Sequence, residues 1–233
     1  MTFTDKPSAR THVWTTLTDE GAARFPFPVE GRIPNFAGAD EAAQRLVDSA
    51  VFEGVERIKS NPDSPQKYVR RRALERGITV FVPTPRLKGG FMRFDPDQIP
   101  EEKYEDASML SRWDDWAEEV ALDDLPQLDL IVTGCVAVTR DGRRCGKGEG
   151  FSDLEFGILR ELGHDPVPVA TTVHDLQVVD SFPIDDHDIG LSAIATPDEL
   201  ITVDDPPEGP GGIDWSLLTD EDLEEMPILK ELQ

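Results

Sequence analysis

Residues 128–153 read LDLIVTGCVAVTRDGRRCGKGEGFSD, and this stretch constrains the fold more than any other part of the chain. Leu128 to Thr133 is an apolar run with no in-out alternation, as expected of a strand covered on both faces. Parallel strands need crossover connections, so such a strand commits the chain to helices packed on a sheet. Val136 to Thr139 and the residues after Asp141-Gly142 read as a hairpin, with Asp-Gly as a two-residue turn. Gly146, Gly148 and Gly150 then alternate before a helix expected from Ser152 to Leu162. Glycines at this spacing let backbone amides face a phosphate, the helix start adds partial positive charge, and Lys147 adds a full one. The spacing is neither that of a GxxxxGK[ST] loop nor that of GxGxxG.

The rest of the chain fits the same architecture. A helix is expected from Lys6 to Leu17, with Val13, Trp14 and Leu17 on one side and Lys6 and Arg10, spaced i, i+4, on another. Residues 25–35 (FPFPVEGRIPN) hold three prolines and form an irregular connection before a helix from Ala39 to Phe52. A strand-helix-strand unit follows: Val55 to Lys59, Gln66 to Glu75 and Ile78 to Val82. Thr84 to Phe94 reads as a basic loop in which Arg86 and Lys88 reach toward anionic ligand. Tyr104 to Glu119 reads as a polar helix, and further strands are expected at Val167–Thr172, Gln177–Val179 and Leu200–Val203. Alternation of strands and helices predicts an α/β fold, a three-layer, mostly parallel sheet with helices on both faces. Residues 1–203 form that domain. Residues 204–233 form an acidic Pro/Gly linker and tail that packs on the surface or stays partly mobile.

Charge narrows the partners. The 233 residues carry 47 Asp and Glu against 23 Lys and Arg, a formal charge of −24, which repels nucleic acid and anionic lipid. The acids are dispersed, a pattern suited to concentrated salt, where the Debye length shrinks to about 3 Å. Neither a signal peptide nor a membrane-spanning run is visible, and the two cysteines, Cys135 and Cys145, lack zinc-site spacing, so a reducing cytoplasm is expected. Oligomeric state is not legible.

The segment from Arg144 through Gly146, Gly148, Gly150 and Phe151 to Asp153 resembles the signature of the 5-formyltetrahydrofolate cyclo-ligases. Lys6-Pro7-Ser8-Ala9-Arg10 looks like that family's amino-terminal K-x-x-x-R element, and His174-Asp175 is similar in position to its late aspartate. The phrases GKGEGFSDLE, RIPNF and VPTPRL look like a divergent branch, the methenyltetrahydrofolate synthetase domain-containing proteins. The resemblance implies an ATP- and Mg²⁺-dependent ligase: the γ-phosphate passes to the formyl oxygen of 5-formyltetrahydrofolate, N10 attacks, and phosphate leaves with 5,10-methenyltetrahydrofolate formed.

It further implies that Lys6, Arg10, Arg144, Gly146, Lys147, Gly148, Glu149, Gly150, Phe151 and Ser152 contact nucleotide. Arg144 and Lys147 would act on the transferred phosphoryl, and Asp153 and Asp175 would hold Mg²⁺. Two positions depart from the family pattern. Pro62 stands where a pterin-contacting glutamate is expected, with Asp63 one residue away, and Phe151-Ser152 replaces a pair of aromatics. A paralogue acting on another small molecule, such as a thiamine-related one, and a non-enzymatic binding module using the tail are the competing readings.

Overall fold

The computed structural model describes residues 1–85 and 90–232, so Arg86 and Lys88 lie outside the described residues. In chain order the elements are α1 (Lys6–Asp19), β1 (Ala23–Arg24), β2 (Asn35–Phe36), α2 (Ala39–Val47), β3 (Arg57–Ser60), α3 (Lys67–Glu75), β4 (Thr79–Pro83) and β5 (Phe91–Phe94). After them come α4 (Tyr104–Ala107), β6 (Glu118–Val120), β7 (Leu130–Val132), β8 (Ala137–Thr139), β9 (Arg144–Cys145), α5 (Phe151–Glu161), β10 (Val169–Thr172), β11 (Val178–Val179), β12 (Ala193–Ala195), β13 (Leu200–Thr202) and α6 (Asp220–Glu225).

The main sheet has eight strands in the order β13-β12-β10-β7-β3-β4-β5-β6. The five central strands are parallel, and β13, β5 and β6 add antiparallel edges. The period-two rule sorts their side chains onto two cores. Leu130, Val132, Ala170, Val80 and Val82 face one side, where α2 and α3 pack; Ile131, Val169, Ile194 and Phe81 face the other, with Ile158 and Leu159 of α5. This is the expected α/β class, with helices on both faces. Lys59, between Ile58 and Ser60 on β3, is directed by the same rule to the α5 side.

A second sheet, β11-β8-β9, carries α1, whose buried stripe Ala9, Val13 and Leu17 meets Val136, Ala137 and Cys145. The hairpin between β8 and β9 differs from the expected two-residue turn. Thr139 Oγ1 and O receive the Arg143 and Gly142 amides, while the Thr139 amide donates to Arg143 O. The loop is therefore three residues, with Gly142 at φ 86°.

Four other expectations are corrected. Residues 104–119 do not form one helix: α4 ends at Ala107, and Arg70, buried beneath it, draws the Ser108 carbonyl to its Nε (3.1 Å) and Nη2 (2.8 Å). The chain then turns so that Trp113 meets Phe94 with ring centroids 5.7 Å apart. Part of the basic loop is strand β5. Strand β12 is an addition, its small residues Ala193 and Ala195 packing under α2. Finally, residues 204–232 are built into the domain. Ile213, Met226, Ile228 and Leu229 are buried in the α5-side core, and a methyl on Gly157 would lie 2.9 Å from the Gly212 carbonyl. Among the described residues, no helix is long and apolar enough to cross a membrane.

Candidate functional site

β3 leads through α3 on one face to β4, whereas β7 leads through α5 on the other face to β10, so the sheet order reverses between β3 and β7. Open α/β sheets bind ligands beyond the carboxyl ends of strands at such a point. A cavity of about 540 Å³ opens there, reached by Asn61, Pro62 and Asp63 after β3, by Pro83 and Thr84 at the end of β4, and by the start of α5.

One wall is the glycine segment. Gly150 takes φ 72° as the N-cap of α5, and no side-chain cap closes this helix end. The first amides of the helix are therefore presented as anion donors. Gly148 takes φ 112°, where an L side chain would be strained, and the Arg10 guanidinium carbon lies 3.4 Å from where its Cβ would be, in van der Waals contact. Arg10 arrives because Asp5 caps α1, accepting from the Ser8 amide at 2.7 Å; one turn on, Arg10 Nε donates to Gly146 O at 2.7 Å.

Arg144 is buried, its Nη1 2.6 Å from Asp153 Oδ1, which also accepts from the Ile189 amide at 3.1 Å. Burial would lower the guanidinium's affinity for its proton, but the Asp153 carboxylate and the Cys135 sulfur together offset this and hold it above its ordinary value. Lys147 is half-buried, 2.6 Å from Glu149 and 5.9 Å from the centre of the Phe151 ring. Lys6 pairs with Asp185 at 2.7 Å and with Asp188. Burial acts to depress its ammonium, yet those two carboxylates keep it raised.

Thus Lys6, Arg10, Arg144 and the run from Gly146 through Lys147, Gly148, Glu149, Gly150, Phe151 and Ser152 to Asp153 line one cavity. Asp175 does not. It accepts from the Thr196 hydroxyl at 2.5 Å in the turn after β10, outside the cavity lining. His174 serves there as a cap, its Nδ1 accepting from the Leu176 amide. The sequence has three His-Asp dipeptides, and it is the last, His187-Asp188, that reaches the cavity. Ligand atoms of Asp185, His187 and Asp188 lie within 4.8 Å of one another, beside Lys6. Hard carboxylate oxygens are the donors Mg²⁺ takes, so the Asp185 and Asp188 carboxylates of this group fit such an ion.

The floor of the cavity is polar and interlocked. Lys59 and Glu155 form an ion pair, both buried; Lys59 Nζ also donates to Asn61 Oδ1 at 3.1 Å, and Asn61 Nδ2 donates to Ser152 Oγ at 3.1 Å. Sequence reading missed Lys59 and Glu155, because β3 reads RIKS and a lysine in so polar a strand carries no signal of burial.

A second cavity of about 450 Å³ adjoins the first through Ile33, Pro62, Asp63, Leu110 and Lys147, and its far wall is the proline-rich stretch with Pro26 and Pro28. Asp63 stands at the junction. Burial pushes its carboxyl up to about 6, against the pull of Lys147 and Arg70. A carboxyl raised from 3.8 to about 6 contributes stability that is present at low pH and lost as pH climbs through that interval. Asp63→Asn is therefore expected to raise the melting temperature at pH 7 and to flatten its decline between pH 4 and 6. Parallel melting curves of wild type and variant would contradict the assignment.

Both thiols are buried and raised by that burial, which makes them poor nucleophiles.

The profile of the 5-formyltetrahydrofolate cyclo-ligase family matches residues 11–197. The methenyltetrahydrofolate synthase domain-containing protein of Bos taurus is 38% identical over 234 residues, covering 98% of this chain and 62% of that protein. Its Homo sapiens counterpart is 35% identical, with 98% and 61% covered, so the chain spans about three-fifths of the length of these relatives. The 5-formyltetrahydrofolate cyclo-ligase of Escherichia coli K12 is 36% identical over 76 residues, 33% of this chain and 40% of that one. In fold, the chain is similar to the NMR structure of the Aquifex aeolicus 5,10-methenyltetrahydrofolate synthetase. The TM-score is 0.55 at 15% identity, covering 86% of this chain and 93% of that one.

Proposed function

The chain belongs to the 5-formyltetrahydrofolate cyclo-ligase family, and from that premise we propose that it uses ATP and Mg²⁺ to convert 5-formyltetrahydrofolate to 5,10-methenyltetrahydrofolate, releasing ADP and phosphate. The observation that carries this reading is the convergence of Lys6, Arg10, Arg144, Lys147 and the uncapped start of α5 on one cavity in a chain of net charge −24. Phosphoryl transfer asks a protein chiefly to position the partners and neutralise charge, and this constellation supplies both.

In this reading the α5 amides and Arg10 hold phosphate oxygens. Arg144, fixed by Asp153, and Lys147, the more mobile cation, meet the transferred phosphoryl. Mg²⁺, held by Asp153 with Asp188 and Asp185, would neutralise phosphate charge, and Lys6, which those two aspartates hold in the free protein, would be released toward the nucleotide. The reduced folate would occupy the second cavity, with its N5-formyl group at the junction. There Asp63 is the acceptor offered in place of the glutamate that Pro62 displaces.

Pro62, Ser152 and the Lys59–Glu155–Asn61 floor favour a second reading, a paralogue that keeps the phosphate site and acts on a different small molecule. One assay separates the two: ADP release and methenyl-folate absorbance in high-salt buffer with Mg²⁺ and ATP, with and without 5-formyltetrahydrofolate. The first reading expects folate-dependent signals in both channels, reduced about 10²-fold or more by Lys147→Ala, the loss typical of removing one group that stabilises transition-state charge. A folded protein that binds ATP and gives neither signal favours the second. Asp188→Asn should raise the Mg²⁺ concentration needed for half-maximal rate; an unchanged requirement would remove Asp188 from the ion site.

A further inference from the structure

The floor of the phosphate cavity carries a chain of hydrogen bonds whose direction follows residue by residue. Lys59 is buried, and its ammonium has hydrogens and no lone pair, so it can only donate. It donates to Glu155 and, at 3.1 Å, to Asn61 Oδ1. With its oxygen held there, the Asn61 side chain turns Nδ2 the other way, where it donates to Ser152 Oγ at 3.1 Å. The opposite rotation of the amide would set its NH₂ against the ammonium, donor against donor. Asn61 cannot shift away either, because its backbone amide donates to Val132 O at 3.0 Å and its carbonyl accepts from the buried Arg70. Ser152 therefore accepts in this bond and keeps its own hydrogen. Among the described residues that hydrogen has no acceptor, and Ser152 lies in the first turn of α5 at the cavity wall.

We infer that Lys59 and Asn61 are positioning residues that fix Ser152 as a hydrogen-bond donor, so that the ligand atom seated against the first turn of α5 is an acceptor oxygen, phosphoryl or carbonyl. The inference rests on the phosphate-cavity reading above and adds the polarity of one contact and the residues that set it. A serine hydroxyl left to itself rotates, donating or accepting as its neighbour requires. Here that freedom is removed, and a ligand offering N–H at this point meets hydrogen against hydrogen and leaves both groups unpaired. The buried ion pair thereby has a task that apolar residues of the same size could not perform: Glu155 holds the ammonium out of water, and the ammonium orients the amide.

The test is equilibrium binding to the full chain, with Mg²⁺ at fixed salt, of inorganic tripolyphosphate and, separately, of 5-formyltetrahydrofolate. Ser152 is half-buried, so substitution there leaves the core intact. Ser152→Ala should weaken one of the two probes about tenfold, the loss of one hydrogen bond to a charged or strongly polar oxygen. Ser152→Thr keeps the hydroxyl and should bind that probe like wild type. A loss for tripolyphosphate identifies the acceptor as a phosphoryl oxygen, and a loss for the folate identifies it as a carbonyl oxygen.

Asn61→Asp separates positioning from packing. The carboxylate has nearly the shape of the amide but only accepts, so Ser152 turns its hydrogen toward it and shows lone pairs to the cavity. Affinity should fall in the wild-type background and fall much less with Ser152→Ala already in place, where only the added charge still acts. Lys59→Met with Glu155→Leu reaches the same end without new charge: the amide is free to flip, and the loss should again require the Ser152 hydroxyl. The assignment is overturned if the probes bind and Ser152→Ala changes neither, if Ser152→Thr loses as much as Ser152→Ala, or if Asn61→Asp costs the same in both backgrounds; the phosphate reading then stands. If wild type binds neither probe, the phosphate reading fails and the assignment fails with it.

Discussion

Lys59→Met is expected to destabilise the protein by about 3–5 kcal/mol, because it leaves the Glu155 carboxylate buried without a counter-charge. Both side chains of the pair are almost fully covered, at 1% and 6% exposure, so solvent cannot substitute for the lost ammonium. The pair also has a positional role. Lys59 fixes the amide of Asn61 by donating to its oxygen, and that orientation directs the Asn61 nitrogen to Ser152. Chemical denaturation at constant salt measures the cost. The double variant Lys59→Met, Glu155→Leu replaces the ions with apolar groups of similar size and should recover most of the loss, since an isosteric apolar pair is often neutral or stabilising. A single variant that costs less than about 1 kcal/mol, or a double variant no better than the single, would mean that water reaches the pair. In the stable double variant Asn61 loses its lysine partner, so a change in substrate KM without a change in fold stability would assign the floor to substrate positioning.

Much of the fold was readable because local pattern and tertiary environment agree. The apolar run Leu130–Val132 is buried on both sheet faces, and the i, i+4 spacing of Lys6 and Arg10 survives as two cations at one cavity. Reading failed where a distant residue decides the local conformation. Nothing near Ser108 announces that Arg70 will take its carbonyl and end the helix there. The short, small-residue strand at Ala193–Ala195 lacks the bulk that marks a core strand, because α2 packs close above it. The acidic, glycine- and proline-rich segment after Asp204 has the composition of a linker, and only the fold shows Gly157 and Gly190 making room for it. Asp188 was missed for a different reason. The three His-Asp dipeptides, at His164, His174 and His187, are indistinguishable in one sequence, and three-dimensional placement beside Lys6 singles out the last.

Raising chloride from about 0.1 M to about 1 M is expected to increase the melting temperature by roughly 10 °C. The Debye length contracts over that range from about 10 Å to about 3 Å, which removes most repulsion between surface acids that are not in contact. At 2–4 °C per kcal/mol for a chain of this size, the shift corresponds to a few kcal/mol, small for a net charge of −24. The paired cations limit the opposing effect. Arg71 already meets Asp40, Glu75 and Glu105, and such half-exposed contacts lose little when salt screens them.

The functional site should respond with the opposite sign. Lys6, Arg10, Arg144 and Lys147 converge on a cavity that Asp63, Glu149, Asp153, Glu155, Asp185 and Asp188 also line, and the attraction of those cations for a bound polyanion weakens as the same salt is added. Thermal melts and tripolyphosphate titrations over one chloride series should therefore diverge, stability rising while affinity falls. A melting temperature that is flat between the two salts would show that the fold tolerates its charge without screening. An affinity independent of salt would place the binding energy in the helix-start amides and Arg144 and not in the field of Lys6, Arg10 and Lys147.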